Sequence, residues 1–383
     1  MRRAAQARAR TRSKPARRIR VGVIFGGRSV EHAVSLVSAK AIMGALDPAR
    51  YEVVPIAVTR EGRFTDAGLR SLFPGDPEIA AMIGPGTAAG RRGGRRGTAR
   101  RRPLDVIFPI VHGTGGEDGS LQGLLTLASL PFVGAGILGS ALGMDKAAMK
   151  SMFREAGLPI VRHRVAARPD FEADPRAMAD RMESDLRYPC FVKPANGGSS
   201  VGVSKAKDRR GLEEALRLAF RYDRKVIVEQ GIDAREIECS VLGNDHPEAS
   251  VAGEIVPARE FYDYASKYLD SGSRLIIPAG ITPGQQVLVR DLAVRAFEVL
   301  DLAGLARVDF FLDRATGAMF LNEVNTLPGF TPISMYPKVW EASGLPFPRL
   351  VDRLIELAFE RHAERRRLVT AYDPDDPPRR RGA

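Results

Sequence analysis

The stretch Arg307-Val-Asp-Phe-Phe-Leu-Asp-Arg-Ala-Thr-Gly-Ala-Met-Phe-Leu-Asn-Glu-Val-Asn325 is compatible with few folds. Two runs rich in β-branched and aromatic residues flank a polar turn, which predicts a hairpin. A loop over residues 313–317 would pair Leu312 with Ala318 and set Arg307 opposite Glu323. Side chains alternate along a strand, so Arg307, Asp309, Glu323 and Asn325 then share one face. Val308, Phe310, Leu312, Phe320 and Val324 take the other face and belong in a core. Two carboxylates, a carboxamide and an arginine make a hard-oxygen set for Mg²⁺ beside a fixed cation. Magnesium takes few protein oxygens and shares the rest with water and phosphates. Alternation alone equally describes a half-exposed hairpin with a surface ion pair. The segment Thr326-Leu-Pro-Gly-Phe330 favours a site, because a Pro-Gly turn after an acidic strand aims backbone N–H groups at a ligand.

Upstream, strand and helix patterns alternate. Ile19–Phe25 is a buried strand ending in Gly26-Gly27, and a helix is expected over Glu31–Gly44. Strands follow at Tyr51–Thr59 and Leu104–Val111, and another helix starts near Gly119. This predicts a doubly wound parallel sheet, with ligands at strand carboxyl ends. After residue 134 the pattern restarts: a helix over Ser140–Ala156, strands at Ile160–Val165 and Tyr188–Lys193, a helix at Gly211–Phe220 and a strand at Lys225–Glu229. Strands at Glu236–Leu242 and Ala252–Pro257, a polar excursion at Glu260–Gly272 and a helix at Pro283–Ala303 lead to the hairpin. A last helix covers Phe347–Arg366. The expected division is a basic leader at 1–17, an α/β substrate-binding unit at 18–134, α+β units at 135–232 and 233–368, and a tail at 369–383.

The net charge of +12 invites a nucleic-acid reading, but its placement opposes one. Residues 1–20 carry +9 and residues 91–102 carry +7; subtracting these sixteen charges leaves −4 on the rest. The runs therefore read as solvated, disordered segments, and no Trp or Tyr interleaves them to stack bases. Two cysteines, Cys190 and Cys239, fit small core residues in a reducing compartment. The first apolar run is too short for export or membrane spanning, so a cytoplasmic protein without membrane insertion is expected.

Lys193-Pro-Ala-Asn-Gly-Gly-Ser-Ser-Val-Gly202 is a strand end followed by a glycine-rich turn. Its N–H groups can wrap phosphates while Lys193 supplies a point charge. It lacks the Walker ending, and Gly22–Gly27 does not match the dinucleotide fingerprint. A flexible surface turn would look similar. Glu229-Gln-Gly-Ile232 follows a strand, with Glu236 four residues on; such a connector can read adenine and ribose, though paired glutamates near a turn are usually solvated. Lys146 resembles any surface lysine on a helix. Glu31 follows the first glycine turn, and His112 precedes Gly113-Thr-Gly-Gly-Glu-Asp-Gly119. Both lie at strand carboxyl ends, where a small substrate binds, although a lone histidine is more often structural.

Taken in order, these segments resemble the D-alanine–D-alanine ligase family, a branch of the ATP-grasp enzymes, from about Arg18 to Arg366. The resemblance rests on Gly26-Gly-Arg-Ser-Val-Glu-His-Ala-Val-Ser35, the His112–Gly123 run, Met144-Asp-Lys146, the Lys193 loop, Phe261-Tyr-Asp-Tyr-Ala-Ser-Lys-Tyr268, Arg307-Val-Asp309 and Asn322–Phe330. It implies an N-terminal doubly wound domain ahead of two ATP-grasp subdomains, and ATP with two Mg²⁺ (or Mn²⁺) as cofactors. Lys146 and Lys193 would hold phosphates, Glu229 and Ile232 adenine, Glu236 ribose, and Lys267 would approach the γ-phosphate. Asp309, Glu323 and Asn325 would bind the metals. Glu31 would pair with the ammonium of the first D-alanine and, with Ser199 and Tyr268, latch the loop at Glu260–Gly272 as a lid. His112 would lie near that substrate's carboxylate; Ser334 and Met335 would position the second carboxylate. Arg307 and the N–H of Gly329 would stabilise an oxyanion. The resemblance also implies a homodimer serving peptidoglycan precursor synthesis. Tyr268 favours D-alanine over D-lactate or D-serine as second substrate. A non-enzymatic nucleic-acid binder using the Arg tracts would leave the acidic hairpin unexplained.

Overall fold

The computed structural model describes residues 17–65, 72, 102–257 and 274–369. The leader, the 84–103 insert, the expected lid with Lys267 and Tyr268, and the tail lie wholly or almost wholly outside them.

β1 (Ile19–Gly26), β2 (Tyr51–Val58) and β3 (Val106–Ile110) form a parallel sheet in the order β2-β1-β3. Beyond the Arg20–Glu52 ion pair near the start of β1 and β2, its strands are continuous hydrophobic runs because both faces are covered. On one face, Ala39 and Ile42 of α1 (His32–Ala45) join Leu350, Val351 and Leu354 of the C-terminal helix, α10 (Phe347–Arg365), against Val21, Val23 and Phe108. On the other, Leu121 and Leu125 of α2 (Ser120–Leu127) cover Ile24, Ile56 and Ile107. The last helix thus completes the first domain's core, which a linear division of the chain does not anticipate. Gly26 ends β1 at φ +98°, and a Cβ there would lie 2.2 Å from the Val58 carbonyl oxygen, so only glycine allows this turn.

The expected single helix over 140–156 is two: α3 (Ile137–Met144) and α4 (Lys146–Glu155). Asp145 breaks them in an extended conformation, and its side chain caps α4 by accepting from the Ala147 and Ala148 N–H groups. Beyond lie β4 (His163–Ala167), α5 (Arg168–Ala173), α6 (Pro175–Asp185), β5 (Cys190–Pro194), β6 (Ser204–Ala206), α7 (Arg209–Ala219) and β7 (Lys225–Gln230). These strands pair in the order β4-β7-β5-β6, and helices α5, α6 and α7 bury one face of the sheet with Phe171, Met178, Met182, Leu212 and Leu216.

The third sheet has the order β10-β9-β8-β11-β12, built from β8 (Ala234–Gly243), β9 (Glu248–Val256), β10 (Arg274–Ile276), β11 (Gly304–Asp313) and β12 (Met319–Asn325). Val289, Leu292, Ala296 and Phe297 of α8 (Pro283–Val299), with Met149 and Phe153 of α4, fill one face against Ile237, Cys239, Val308, Phe310 and Leu321. α8 ends at Val299, short of the expected Ala303, where Asp301 turns left-handed at φ +53°. The opposite face carries Glu236, Glu238, Arg307 and Asp309, because side chains alternate. α9 (Met335–Ala342) packs Met335 and Val339 onto Ile255. Cys190 and Cys239 are free and buried, as expected.

The hairpin register differs from the sequence expectation. Leu312 pairs with Met319, not Ala318, and Arg307 lies opposite Asn325, not Glu323. Phe320 therefore sits opposite Phe311 on the outward face, and Met319 and Leu321 take the core. A bulge between Asp309 and Phe310 supplies the second correction: Asp309 faces Glu323 while Phe310 faces Leu321, leaving Asn322 as the extra residue. The tip shift alone would turn Glu323 and Asn325 to the core face; the bulge turns them back.

Candidate active site

The polar face of the third sheet, the glycine-rich loop after β5 and the carboxyl ends of β1 and β3 enclose one cavity of about 680 Å³. Every predicted site residue that the structure describes lines it: Glu31, His112, Lys146, Lys193, Ser199, Glu229, Ile232, Glu236, Arg307, Asp309, Glu323, Asn325, Gly329, Ser334 and Met335. Lys267 and Tyr268 lie outside the described residues.

At one end, Glu229 on β7 is 2% exposed and holds two lysines. Its Oε2 is 2.6 Å from Lys193 Nζ on β5, and its Oε1 is 2.8 Å from Lys150 Nζ on α4. Burial alone would raise the Glu229 carboxyl; the two ammonium groups outweigh it and hold it well below the usual carboxylate range. Burial likewise opposes the charge on Lys193, yet Glu229 and Glu323 raise it above the ordinary lysine value. Lys193 Nζ also reaches Asn322 Oδ1 at 3.4 Å. Ile232 follows on the connector into β8, and Glu236 lies on β8 itself.

Lys146 opens α4 and points at the ribbon, with its Nζ donating to the Gly197 carbonyl at 2.7 Å and lying 3.4 Å from Glu323 Oε2. The loop is anchored beside it: the Lys146 N–H donates to Ala195 O, and the Asn196 N–H to Asp223 Oδ2. Asp145 pairs with Lys225 and accepts from the Asn196 amide, so the cap of α4 also fixes the loop. Ser199 and Ser200 sit at φ +51° and +59°, a left-handed pair that curls the backbone around the cavity. A Cβ on Gly198 would lie 3.1 Å from Glu31 Oε2, so the loop meets the N-terminal domain there.

At the ribbon, Arg307 is bidentate to Asp309, with Nε–Oδ1 and Nη2–Oδ2 both 2.7 Å, and its Nε is 3.0 Å from Glu238 Oε2. Burial disfavours the guanidinium charge, but these two carboxylates raise its pKa well above the ordinary value. No group of three or more His, Cys, Asp or Glu side chains among the described residues could hold a metal. The candidate set is instead two carboxylates and a carboxamide, Asp309, Glu323 and Asn325, gathered on one pleat by the bulge. Hard oxygens few in number fit a magnesium ion that takes its remaining ligands from phosphates.

The turn after β12 is held from the first domain. His112, 3% exposed, has Nδ1 3.0 Å from the Leu327 carbonyl and 3.6 Å from Glu117 Oε1. Burial works against an imidazolium, but Glu117 and Glu31 prevail and raise the His112 pKa. Burial also raises Glu117. Ser38 on α1 accepts from the Phe330 N–H at 3.1 Å and touches His112 Nε2 at 3.5 Å. Gly329 lies between these anchors, and a Cβ there would come within 2.8 Å of Ser334 Oγ. Ser334 Oγ accepts from the Thr331 N–H at 3.0 Å, and Met335 begins α9, whose N-terminus faces the cavity.

Sequence reasoning did not single out Lys150, Glu117, Glu238 or Ser38. Lys150 carried one usable signal: it lies four residues after Lys146, on the same helical face.

A nucleotide-sized cleft between two β-sheets, with lysines at one end, an acidic ribbon in the middle and a small-substrate compartment beyond, defines an ATP-grasp carboxylate ligase. The D-ala D-ala ligase N-terminus model matches residues 20–135, and the D-ala D-ala ligase C-terminus model matches residues 152–356. The chain belongs to the D-alanine–D-alanine ligase family. Curated relatives include the D-alanine--D-alanine ligases of Geobacillus thermodenitrificans, 47% identical over 92% of this chain and 99% of that one, and of Thermoanaerobacter sp., 51% identical over 90% and 98%. Among solved structures, the D-alanine-D-alanine ligase from Coxiella burnetii aligns at TM-score 0.74 with 37% identity, covering 92% of this chain and 97% of that one. The VanG D-Ala:D-Ser ligase from Enterococcus faecalis aligns at 0.74 with 33% identity, covering 89% and 100%.

Proposed function

We propose that this chain joins two D-alanine molecules into D-alanyl-D-alanine, cleaving ATP to ADP and phosphate through an acyl phosphate. The observation that carries the proposal is the single cavity uniting the lysine pair at Glu229, the Asp309–Glu323–Asn325 ribbon and the Glu31–His112 compartment. A carboxylate is a poor acyl donor, so its oxygen first takes the γ-phosphoryl group and ADP leaves. The amine of the second D-alanine then attacks the acyl carbon, forming the C–N bond as phosphate departs with the electrons of the C–O bond and one proton is released.

In this reading Lys146, Lys193 and Lys267 neutralise the phosphates, Glu229 and Ile232 meet adenine, and Glu236 meets ribose. Asp309, Glu323 and Asn325 hold two Mg²⁺ or Mn²⁺, which when bound offset repulsion between carboxylate and triphosphate. Glu31 pairs with the first ammonium, and His112 stands near that substrate's carboxylate. Ser334, Met335 and the N-terminus of α9 receive the second carboxylate, which the helix dipole favours. Arg307 and the Gly329 N–H stabilise the oxyanion of the tetrahedral intermediate. Ser199 Oγ is buried with no partner among the described residues, which supports a hydroxyl that latches a lid through Tyr268. Acyl phosphates hydrolyse in water, so segment 260–272 would have to close.

The proposal extends to three working units (18–134, 135–232 and 233–368), a cytoplasmic homodimer and a role in peptidoglycan precursor synthesis. No helix among the described residues is long and apolar enough to cross a membrane. The likeness to a D-Ala:D-Ser ligase keeps D-serine as the second reading, but identities of 47–51% to D-alanine--D-alanine ligases favour D-alanine. Product analysis with D-alanine, D-serine and D-lactate offered together tests this. D-Alanyl-D-alanine should dominate; a predominant D-Ala–D-Ser or D-Ala–D-Lac product would overturn it.

A further inference from the structure

We propose that Lys150 is a positioning residue that locks the Glu229 wall to the ribbon's bulge, so that the base end and the metal end of a bound nucleotide keep one register. The inference rests on the proposed ATP site and adds to it a residue that does not line the cavity.

Lys150 is 1% exposed. An ammonium group this deep is costly unless it is paired and hydrogen-bonded, and an apolar residue of similar size would ordinarily serve a core as well. Its Nζ has two jobs, on two different sheets. It pairs with Glu229 Oε1 at 2.8 Å, and it donates to the Asn322 carbonyl at 2.9 Å. Asn322 is the residue that the register leaves without a partner on β11. A bulge removes a ladder position, and a buried carbonyl without a donor costs free energy. Lys150 supplies that donor. The bulge is also what keeps Glu323 and Asn325 on the same face as Asp309.

Glu229 is fixed by the same contact. With Lys150 on one oxygen and Lys193 on the other, its carboxylate is held at both ends. Lys193 is bound to the same pair, through Glu229 Oε2 and Asn322 Oδ1. The residues Lys150, Glu229, Lys193 and Asn322 thus close a ring between α4, β7, β5 and β12. Lys146 leaves the same helix one turn earlier and reaches Glu323, so α4 grips the ribbon at two points.

The test reads binding to the full chain. Lys150→Met is compared with wild type by calorimetric titration of ADP and by counting free Mn²⁺ with electron paramagnetic resonance in the presence of ADP. Loss of a residue that orients metal ligands weakens metal affinity by about 10–100-fold, and both constants should move by at least about tenfold. A folded Lys150→Met protein binding ADP and Mn²⁺ within about twofold of wild type overturns the inference, however much its melting temperature falls. If Lys150→Met does not fold, Lys150→Met/Glu229→Gln removes the buried carboxylate together with its Lys150 partner, and Lys193 keeps its contact to Asn322 Oδ1 at 3.4 Å. Against Glu229→Gln alone, the double variant should bind Mn²⁺ about tenfold more weakly at saturating ADP, because only it lacks the donor to Asn322; equal binding overturns the inference. These constants decide the matter whether or not D-alanine proves to be the substrate.

Discussion

Replacing Arg307 by methionine separates two roles that the structure gives one side chain. The guanidinium is the counter-ion of two carboxylates, Asp309 and Glu238, whose side chains are 12% and 7% exposed. Removing one member of a buried pair costs ~3–5 kcal/mol, because the remaining charge stays in low dielectric. Two carboxylates lose a partner here, but the cavity admits water, so the lower end, about 3 kcal/mol, is expected. Unfolding entropy of about 2.1 cal/mol/K per residue makes the shift roughly 1 °C per kcal/mol for a chain of 383 residues, so the midpoint should drop by about 4 °C. Turnover should fall ~10²–10³-fold, the usual loss for one oxyanion donor. Melting curves and coupled ADP release at saturating ATP and D-alanine measure the two effects. Arg307→Met/Glu238→Gln then divides them: neutralising Glu238 removes one stranded charge and should restore about 1–2 kcal/mol, with turnover still depressed. A folded Arg307→Met enzyme with wild-type turnover would refute the oxyanion role. A double variant regaining turnover along with stability would reduce Arg307 to a counter-ion.

His112 and the two cysteines give further checks. The folded-state pKa of His112 is raised above the ordinary value of 6.5. Its stabilising contribution is therefore complete below about pH 6.5 and is lost as pH rises through the folded-state value. Melting temperatures from pH 6 to 9 should decline less steeply in His112→Gln than in wild type; an identical decline would contradict the His112–Glu117 pairing. Burial pushes the Cys190 thiol up to about 11 and the Cys239 thiol to about 12. At pH 8 a disulfide reagent should titrate neither thiol in the native protein and both in denaturant, because thiolate is the reactive form. Rapid native labelling of either would place it at the surface.

The sequence pattern carried the fold class because its strands and helices differ so clearly in hydrophobic period. Val21–Phe25 and Val106–Val111 are unbroken apolar runs that only a sheet covered on both faces explains. The site was legible for a different reason: Lys193, Arg307, Asp309 and Glu323 sit where alternation puts polar groups on a pleat. The hairpin register was not legible. Its shift to Leu312–Met319 and its bulge at Asn322 cancel for Glu323 and Asn325, whose face was expected from the wrong pairing, but not for Phe320, which lies between tip and bulge and faces outward. Asp145 ends one helix and caps the next, a role that local hydrophobicity does not encode. α9 was invisible for a related cause: it is eight residues long and lies among Pro and Ser, where the periodic signal is short. Lys150 has no pattern of its own beyond its spacing from Lys146. Its function depends on Glu229 and Asn322, which lie far away in the chain and meet it only after three elements have packed.

The central claim is that this cavity uses ATP to activate the carboxyl group of D-alanine. Phosphate release from ATP by the purified chain, with magnesium present and either D-alanine or L-alanine added, tests it most directly. Stoichiometric phosphate and D-alanyl-D-alanine should appear with D-alanine and neither with L-alanine. Phosphate release that ignores the amino acid, or an equal response to both enantiomers, would contradict the account.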